Sequence, residues 1–470
     1  METRGRIPYL GFGLYWAWVY LSFNSLQITG NMSDGAPFIP LLHIISGFSG
    51  CLVFILVIAF HKRIEKSPHF GVAIWMAAMV TAQGTLFYTL PFIGGTQPMA
   101  IAGAIVSGLA SPWIALSWGL AYCRLDARSA TGLTAGSFLM SGVAYVAISY
   151  ISQPISGTLV AFMPVLSVLA LYVCSPAHFM QPSSRSISTV SVVRELSTMF
   201  VRTGSGRIIT GIFMTMFVCG GLRIYIMQLQ SSVYSQPLLV ALPIALVALV
   251  FLGYSTSVSS TSLNLGPLYR IAMPLFALAF VIIAMFGAGN TDMSFLIVSA
   301  GATLIDMLTW VLLIEIARST HFSTLLVLAV GRCAIHLGMA AGEATALFLF
   351  GSMTVFFIVS IVILMIAAGY MFADRDTTFF FEPPMESELS DGEGRQATLD
   401  GRIRAIADDY GLSPRETEVF TLWATGYGSK AIEEKLVVSP ATVKTHLHHI
   451  YEKCDVHSRA EILDLIDTTR

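Results

Sequence analysis

Along most of this chain, polar positions are short interruptions between apolar runs about 20 residues long. Lipid offers no partner to an unpaired backbone group, so a run of that length crosses a bilayer as a helix. Twelve segments qualify, near 8–28, 38–60, 69–90, 98–121, 130–151, 155–175, 208–230, 237–257, 268–288, 293–316, 321–345 and 350–372. After residue 375 the pattern changes, and apolar residues recur every three or four positions, the spacing of short amphipathic helices. The pattern predicts an all-α chain: a polytopic transmembrane bundle of about twelve spans in two sets of six, then a small four-helix domain.

Composition agrees, since 55% hydrophobic residues, 11% charged residues and a mean hydropathy of +0.73 exclude an ordinary soluble protein. The net charge of −2 hides a division. Residues 1–375 hold 16 Lys+Arg and 10 Asp+Glu, whereas 376–470 hold 10 and 18, which makes the tail acidic. The six cysteines are scattered, with no CxxC pair, and no histidines cluster at metal-ligand spacing, so neither a metal nor a cofactor is expected. The apolar run from Ile7 to Ile28 behind Arg4 and Arg6 superficially looks like a signal peptide. It is too long and lacks a small-x-small cleavage site, which makes it an uncleaved first span.

The loops test the span count, because cytoplasmic loops are rich in Lys and Arg. Arg4 and Arg6, then Lys62, Arg63 and Lys66, then Arg124 and Arg128, then Arg185, Arg194, Arg202 and Arg207, then Arg270, Arg318 and Arg375 all fall on one side. The intervening loops, such as 29–37, 91–97 and 289–293, carry neither residue. Both termini are therefore expected in the cytoplasm. The longest internal loop, 176–207, separates spans six and seven, and this 6+6 layout resembles the major facilitator superfamily of transporters. Those transporters usually carry a Gly-, Asp- and Arg-rich signature between spans two and three. Here the loop reads His61-Lys62-Arg63-Ile64-Glu65-Lys66-Ser67-Pro68, which leaves transport open and suits a sensor built on a transporter-like scaffold.

Ionisable groups at membrane depth are costly, and those that persist face the bundle interior to pair or to meet a ligand. Five stand out: Arg223, Asp306, Arg332, His336 and Glu343. Asp306 and Arg332 lie near mid-depth as plausible partners. Arg223 and Glu343 lie toward the outer side, and the spacing from Arg332 to Glu343 returns to one helical face, with His336 a turn from Arg332. Two readings remain open: a polar pocket for a small ligand, with anions among the candidates, or ion pairs that lock helices together. Glu315 is expected at the cytoplasmic interface without a special role.

Beyond Arg375, residues 376–398 combine Phe379-Phe380-Phe381, Pro383-Pro384 and several acidic residues, and read as a flexible linker. The domains expected are thus the bundle 1–375, the linker 376–398 and a terminal domain 399–470. Leu399, Ile403, Ile406 and Tyr410 predict a short helix leading into that last domain. In Leu412-Ser413-Pro414-Arg415-Glu416, Ser413 caps a helix, Pro414 takes the first turn and Glu416 closes a capping box; that helix buries Val419, Leu422 and Trp423 and ends at Gly426. A second helix, about 429–436, turns Ile432 and Leu436 inward. Ser439 and Pro440 open a third, whose Val443, Leu447 and Ile450 face the core, leaving Ala441, Lys444, Thr445, His448 and Glu452 outward. Ser458 and Glu461 start a fourth helix bearing Ile462, Leu465 and Ile466.

Leu412 to Glu416, Gly426-Tyr427, Ser429-Lys430, Ile432, Ser439-Pro440, Thr442 to His446 and Val456 to Glu461 together resemble the LuxR family and its GerE-like helix-turn-helix. The resemblance implies that Lys444, Thr445 and His448 face base edges in a major groove, while Lys430, Thr442 and His446 steady phosphates. It also implies that the fourth helix pairs two copies as a homodimer over a two-fold site on double-stranded DNA. Residues 400–470 hold nine Lys+Arg against twelve Asp+Glu, an unusual balance for a DNA binder, and His448 stands where many relatives carry another polar or basic residue. The expectation is a membrane-bound one-component transcriptional regulator in a bacterial inner membrane, in contact with lipid, DNA and a small-molecule ligand. The alternative is a transporter that reports solute flux through its DNA-binding tail, and a third reading is a membrane protein whose tail docks a partner. No Ser/His/Asp or Cys/His grouping shares a soluble site, so no enzyme is expected.

Overall fold

The computed structural model describes residues 7–25, 28, 38–89, 97–174, 192–202, 205–229, 236–257, 275, 278, 281–282, 291–319, 322–348, 353–372, 402–403, 405–424, 429–436, 438–454, 456, 461–462 and 465. Among these there is no strand. A 3-10 turn, Ile7–Gly11, leads into α1 (Phe12–Asn24), followed by α2 (Phe38–Glu65), α3 (Phe70–Thr89), α4 (Gln97–Tyr122), α5 (Ala127–Ser149) and α6 (Ile155–Cys174). Then come α7 (Val192–Arg202), α8 (Ser205–Leu229), α9 (Pro237–Ser257), α10 (Thr291–Ser319), α11 (Thr324–Phe348) and α12 (Met353–Phe372). The tail holds α13 (Pro414–Ala424), α14 (Ser429–Leu436) and α15 (Pro440–Cys454). Contacts divide the chain into two units, Met1–Pro384 and Met385–Arg470.

Among the described residues nine helices, α2 to α6 and α8 to α11, have the length and apolarity to cross a membrane. The expected ninth span, 268–288, lies outside the described residues except for helical positions at Leu275, Leu278, Val281 and Ile282. The expected linker 376–398 lies outside them too, as do Leu399, Gly426, Ser458 and Ile466.

Two seams join the first six helices to the later ones, α2 against α11 and α5 against α9. Within the second set α8 and α11 approach so closely that no side chain fits between them: a Cβ on Gly342 would fall 1.9 Å from the Phe217 carbonyl oxygen, and one on Gly220 2.3 Å from that of Met339. Small residues permit this backbone contact, the usual packing device where lipid supplies no hydrophobic drive. Hydroxyls inside the spans bond to their own helix, as when Thr81 and Thr85 donate to carbonyls one turn back, both at 2.7 Å. Trp18 Nε1 then donates to Thr85 Oγ1 at 2.9 Å, tying α1 to α3.

The loop 176–207 contains an element that the span pattern overlooked. Helix α7 is too polar to cross a membrane, but it buries Met199 and half-buries Leu196 and Phe200, an i, i+3, i+4 stripe. Its Glu195 reaches the end of α2, with Lys62 Nζ at 2.9 Å and His61 Nε2 at 3.6 Å.

The second unit has its own apolar core of Ile403, Ile406, Val419, Phe420, Ile432, Val443, Ile450 and Ile462. Phe420 takes the central place expected of Leu422 and Trp423, which are half-buried, and Trp423 Nε1 donates to the Tyr451 hydroxyl at 3.1 Å. Gly411, at φ 61°, ends the helix that contains Ile406. There the Leu412 amide donates back to the Ala407 carbonyl at 2.8 Å, the left-handed stop that glycine adopts without strain.

Candidate functional sites

In the second unit, local chemistry sets where each helix begins. The Ser413 amide donates to Glu416 Oε2 at 2.7 Å while the Glu416 amide donates to Ser413 Oγ at 3.3 Å, a reciprocal capping box at the start of α13. At α15 the Thr442 amide donates to Ser439 Oγ at 3.2 Å. The Lys453 ammonium then donates to Glu416 Oε2 at 2.7 Å and to the Gly411 carbonyl at 3.1 Å, tying the far end of α15 to the start of α13. Burial opposes ionisation of Glu416, but the Lys453 ammonium and the Ser413 amide and hydroxyl outweigh it and hold the carboxyl down at about 2. His449 Nδ1 stands 3.6 Å from the same carboxylate.

With Val443, Leu447, Ile450 and Cys454 buried, α15 turns Ala441, Lys444, Thr445, His448, His449 and Glu452 to solvent. Lys444, Thr445 and His448 thus share an exposed face, with Thr442 and His446 half-buried at its margins. The Lys430 side chain lies outside the described residues. His449, not singled out from the sequence, is exposed one turn beyond Thr445, and the same helical periodicity could have found it. Arg415 braces the turn before α15 by donating to the Leu436 carbonyl at 3.2 Å.

In the first unit four of the five ionisable candidates form two groups. Arg332 donates to Asp306 Oδ1 at 2.8 Å, and its guanidinium lies over two indole rings, 5.4 Å from the centroid of Trp16 and 5.5 Å from that of Trp310. Glu343 pairs with Arg223 and with His43, whose Nδ1 donates at 2.7 Å. Arg223 also donates to the Phe23 carbonyl and, at 3.1 Å, to Asn24 Oδ1. This second group gathers α1, α2, α8 and α11. His336 turns elsewhere, donating to the Arg332 carbonyl at 2.9 Å with its ring edge-on to Phe54.

Between the groups lies a cavity of about 120 Å³, bounded by α1, α2, α8, α9, α10 and α11. Its polar lining includes Trp16, Tyr20, Asn24, His43, Arg223 and Asp306. Trp16, Tyr20 and Asn24 recur every fourth residue on α1, so the two charged groups are separated by about 12 Å at 1.5 Å per residue. Arg332 and Glu343 reach the cavity only through their partners. His43 and Asn24 were missed in the sequence; His43 is an ionisable group inside a span, the signal that picked out the other five. Among the described residues no group of three His, Cys, Asp or Glu could hold a metal ion.

Residues 410–466 match the family described as bacterial regulatory proteins, luxR family. A stretch of 53 residues, 11% of this chain, is 49% identical to the oxygen regulatory protein NreC of Staphylococcus haemolyticus and 47% identical to NreC of Staphylococcus carnosus. The match spans 24% of each of those relatives, about a quarter of their length. The fold is similar to that of the human organic anion transporter MFSD10, with a TM-score of 0.54 and 12% identity over 79% of this chain and 100% of the transporter. At that identity the likeness is one of fold alone.

Proposed function

Because this chain joins a LuxR-family helix-turn-helix to a transporter-like bundle of membrane-length helices, we propose that it is a membrane-bound one-component transcriptional regulator. The bundle, 1–375, takes a small ligand in the cavity between the Arg223–Glu343 and Asp306–Arg332 pairs; the acidic linker 376–398 carries the domain 399–470 to promoter DNA. The protein sits in a bacterial inner membrane with both termini in the cytoplasm, and two tails pair over a two-fold DNA site.

The observation that carries this reading is the exposed face of α15. Lys444, Thr445 and His448 stand together on a helix whose opposite side is the domain core, so they can reach base edges without cost to the fold. Thr442, His446 and Lys430 serve the phosphate backbone. The test is chromosomal occupancy by the full-length protein, wild type against Lys444→Ala. The variant keeps its membrane insertion and loses its preferred sites; sites retained at full occupancy would overturn the groove assignment.

A transporter that also reports flux is the second reading, favoured by the likeness to MFSD10 and by the two seams joining the helix sets. Accumulation of a solute by vesicles holding the protein, abolished in an Arg332→Ala variant that is still expressed and folded, would select it.

A further inference from the structure

A second, larger recess opens on the outer surface of the bundle, along the seam of α5 and α9. This groove, about 620 Å³, is lined among the described residues only by apolar or glycine positions, such as Leu139, Val143, Val146, Leu238 and Leu242. Val143 and Leu238 are 65% and 64% exposed, so the groove faces what surrounds the bundle, the hydrocarbon of the bilayer.

The polar cavity lies on the other side of α9. Val240 and Ile244, one turn apart and both buried, line the cavity, while Ala241 and Ala245, the next residues on, line the groove. Across the seam, a Cβ on Gly142 in the groove would lie 3.7 Å from the Ile244 side chain. Ile244 thus lines the cavity and packs against Gly142, which lines the groove, so the partition there is one side chain and the glycine backbone.

Chemistry inside the cavity indicates what could cross. The arginine and the carboxylate that line it, Arg223 and Asp306, are each already paired from behind, with Glu343 and with Arg332, so neither is left for an ionic ligand to neutralise. Trp16, which lines it, has its indole N–H buried without a hydrogen-bond partner among the described residues, a donor that calls for an acceptor.

We propose that the cavity takes an uncharged amphiphile with a hydrogen-bond acceptor in its head, drawn from the bilayer along the α5–α9 groove past Ile244. This deepens the reading of the cavity as a sensing site and rests on it.

Cys219 lines the cavity and is buried, so it reports access without any knowledge of the ligand. In full-length protein with Cys51, Cys123, Cys174, Cys333 and Cys454 changed to alanine, in phosphatidylcholine nanodiscs, labelling of Cys219 is timed with neutral methyl methanethiosulfonate and with its anionic sulfonatoethyl analogue. The neutral reagent reacts faster by at least about tenfold, because charge is excluded from hydrocarbon. Ile244→Trp slows the neutral reagent by about tenfold by plugging the partition, and Ile244→Ala speeds it, which keeps the test decisive should the tryptophan variant misfold. Equal rates for the two reagents, rates indifferent to both substitutions, or no labelling at all would each overturn the proposal. Labelling does not depend on DNA, so its failure is distinct from failure of the regulator reading, which chromosomal occupancy decides.

Discussion

The two units of this chain are built inside out with respect to each other. In the bundle, the outward side chains are large and apolar, as with Leu52, Met76, Val143, Leu238 and Met365, while the interior holds Arg332 and Glu343. In the tail, Ile403, Val419, Ile432, Val443 and Ile450 are inside and Lys444, Thr445 and His448 outside. Hydrocarbon solvates leucine well and charge poorly; water does the reverse. The chemistry is therefore found in opposite places. A charged side chain that can act faces the bundle's interior in one unit and the surface in the other, and the same residue type carries very different energetic weight in each.

The sharpest way to test that contrast is to delete an arginine from each unit. Arg332→Ala strands Asp306 in the interior and strips two indoles of their cation, so it costs about 3–5 kcal/mol, as buried pairs do when one partner is removed. Unfolding of the purified protein in lipid measures this, and Arg332→Lys recovers part of the loss because the charge survives without the planar fork. The tail's counterpart, Arg415, pairs with Glu418 at the surface with both side chains about half exposed.

Next in size is an effect on binding rather than folding. Lys444→Ala weakens specific DNA affinity by about 1–3 kcal/mol, roughly fivefold to more than a hundredfold, and leaves hydrogen exchange of the tail core unchanged. A loss of exchange protection in α13 and α15 would mean that Lys444 holds the fold instead of reading DNA.

Glu416→Gln comes third, at about 1–2 kcal/mol, since it breaks the contact with Lys453 and weakens the capping box. Exchange protection at the start of α13 reports it. The carboxyl ionises near 2 when folded against an ordinary 4.5, so its stabilisation is complete above about pH 4.5 and is lost as pH falls from there through about 2. In Glu416→Gln that acid-dependent component disappears. Smallest is Arg415→Ala, whose solvated pair with Glu418 and exposed bond to the Leu436 carbonyl together contribute about 1 kcal/mol, to be compared with Arg332→Ala in the same unfolding assay.

Much of this protein was legible in one dimension. A membrane span is decided by its own residues, because each helix satisfies its own backbone hydrogen bonds and lipid tests only its apolarity; α2 to α6 and α8 to α11 stand where the hydropathy pattern put them. The tail was legible for the same reason, since capping boxes and the Val443, Leu447, Ile450 stripe act within a few residues of themselves. Helix α7 could have been read in this way too, but its short stripe was masked by the polar loop around it.

What tertiary structure alone decided is which distant groups meet. Asp306 and Arg332, 26 residues apart on neighbouring helices, were foreseen as partners. Glu343 instead takes Arg223, 120 residues away, and His43, 300 residues away. The sequence marks each of these as a charge or an ionisable ring that cannot stay unpaired in lipid, yet in a bundle any inward face can meet several others. The choice was made by the backbone contacts at Gly220 and Gly342, which bring α8 and α11 within reach of each other and so determine which charges neutralise one another.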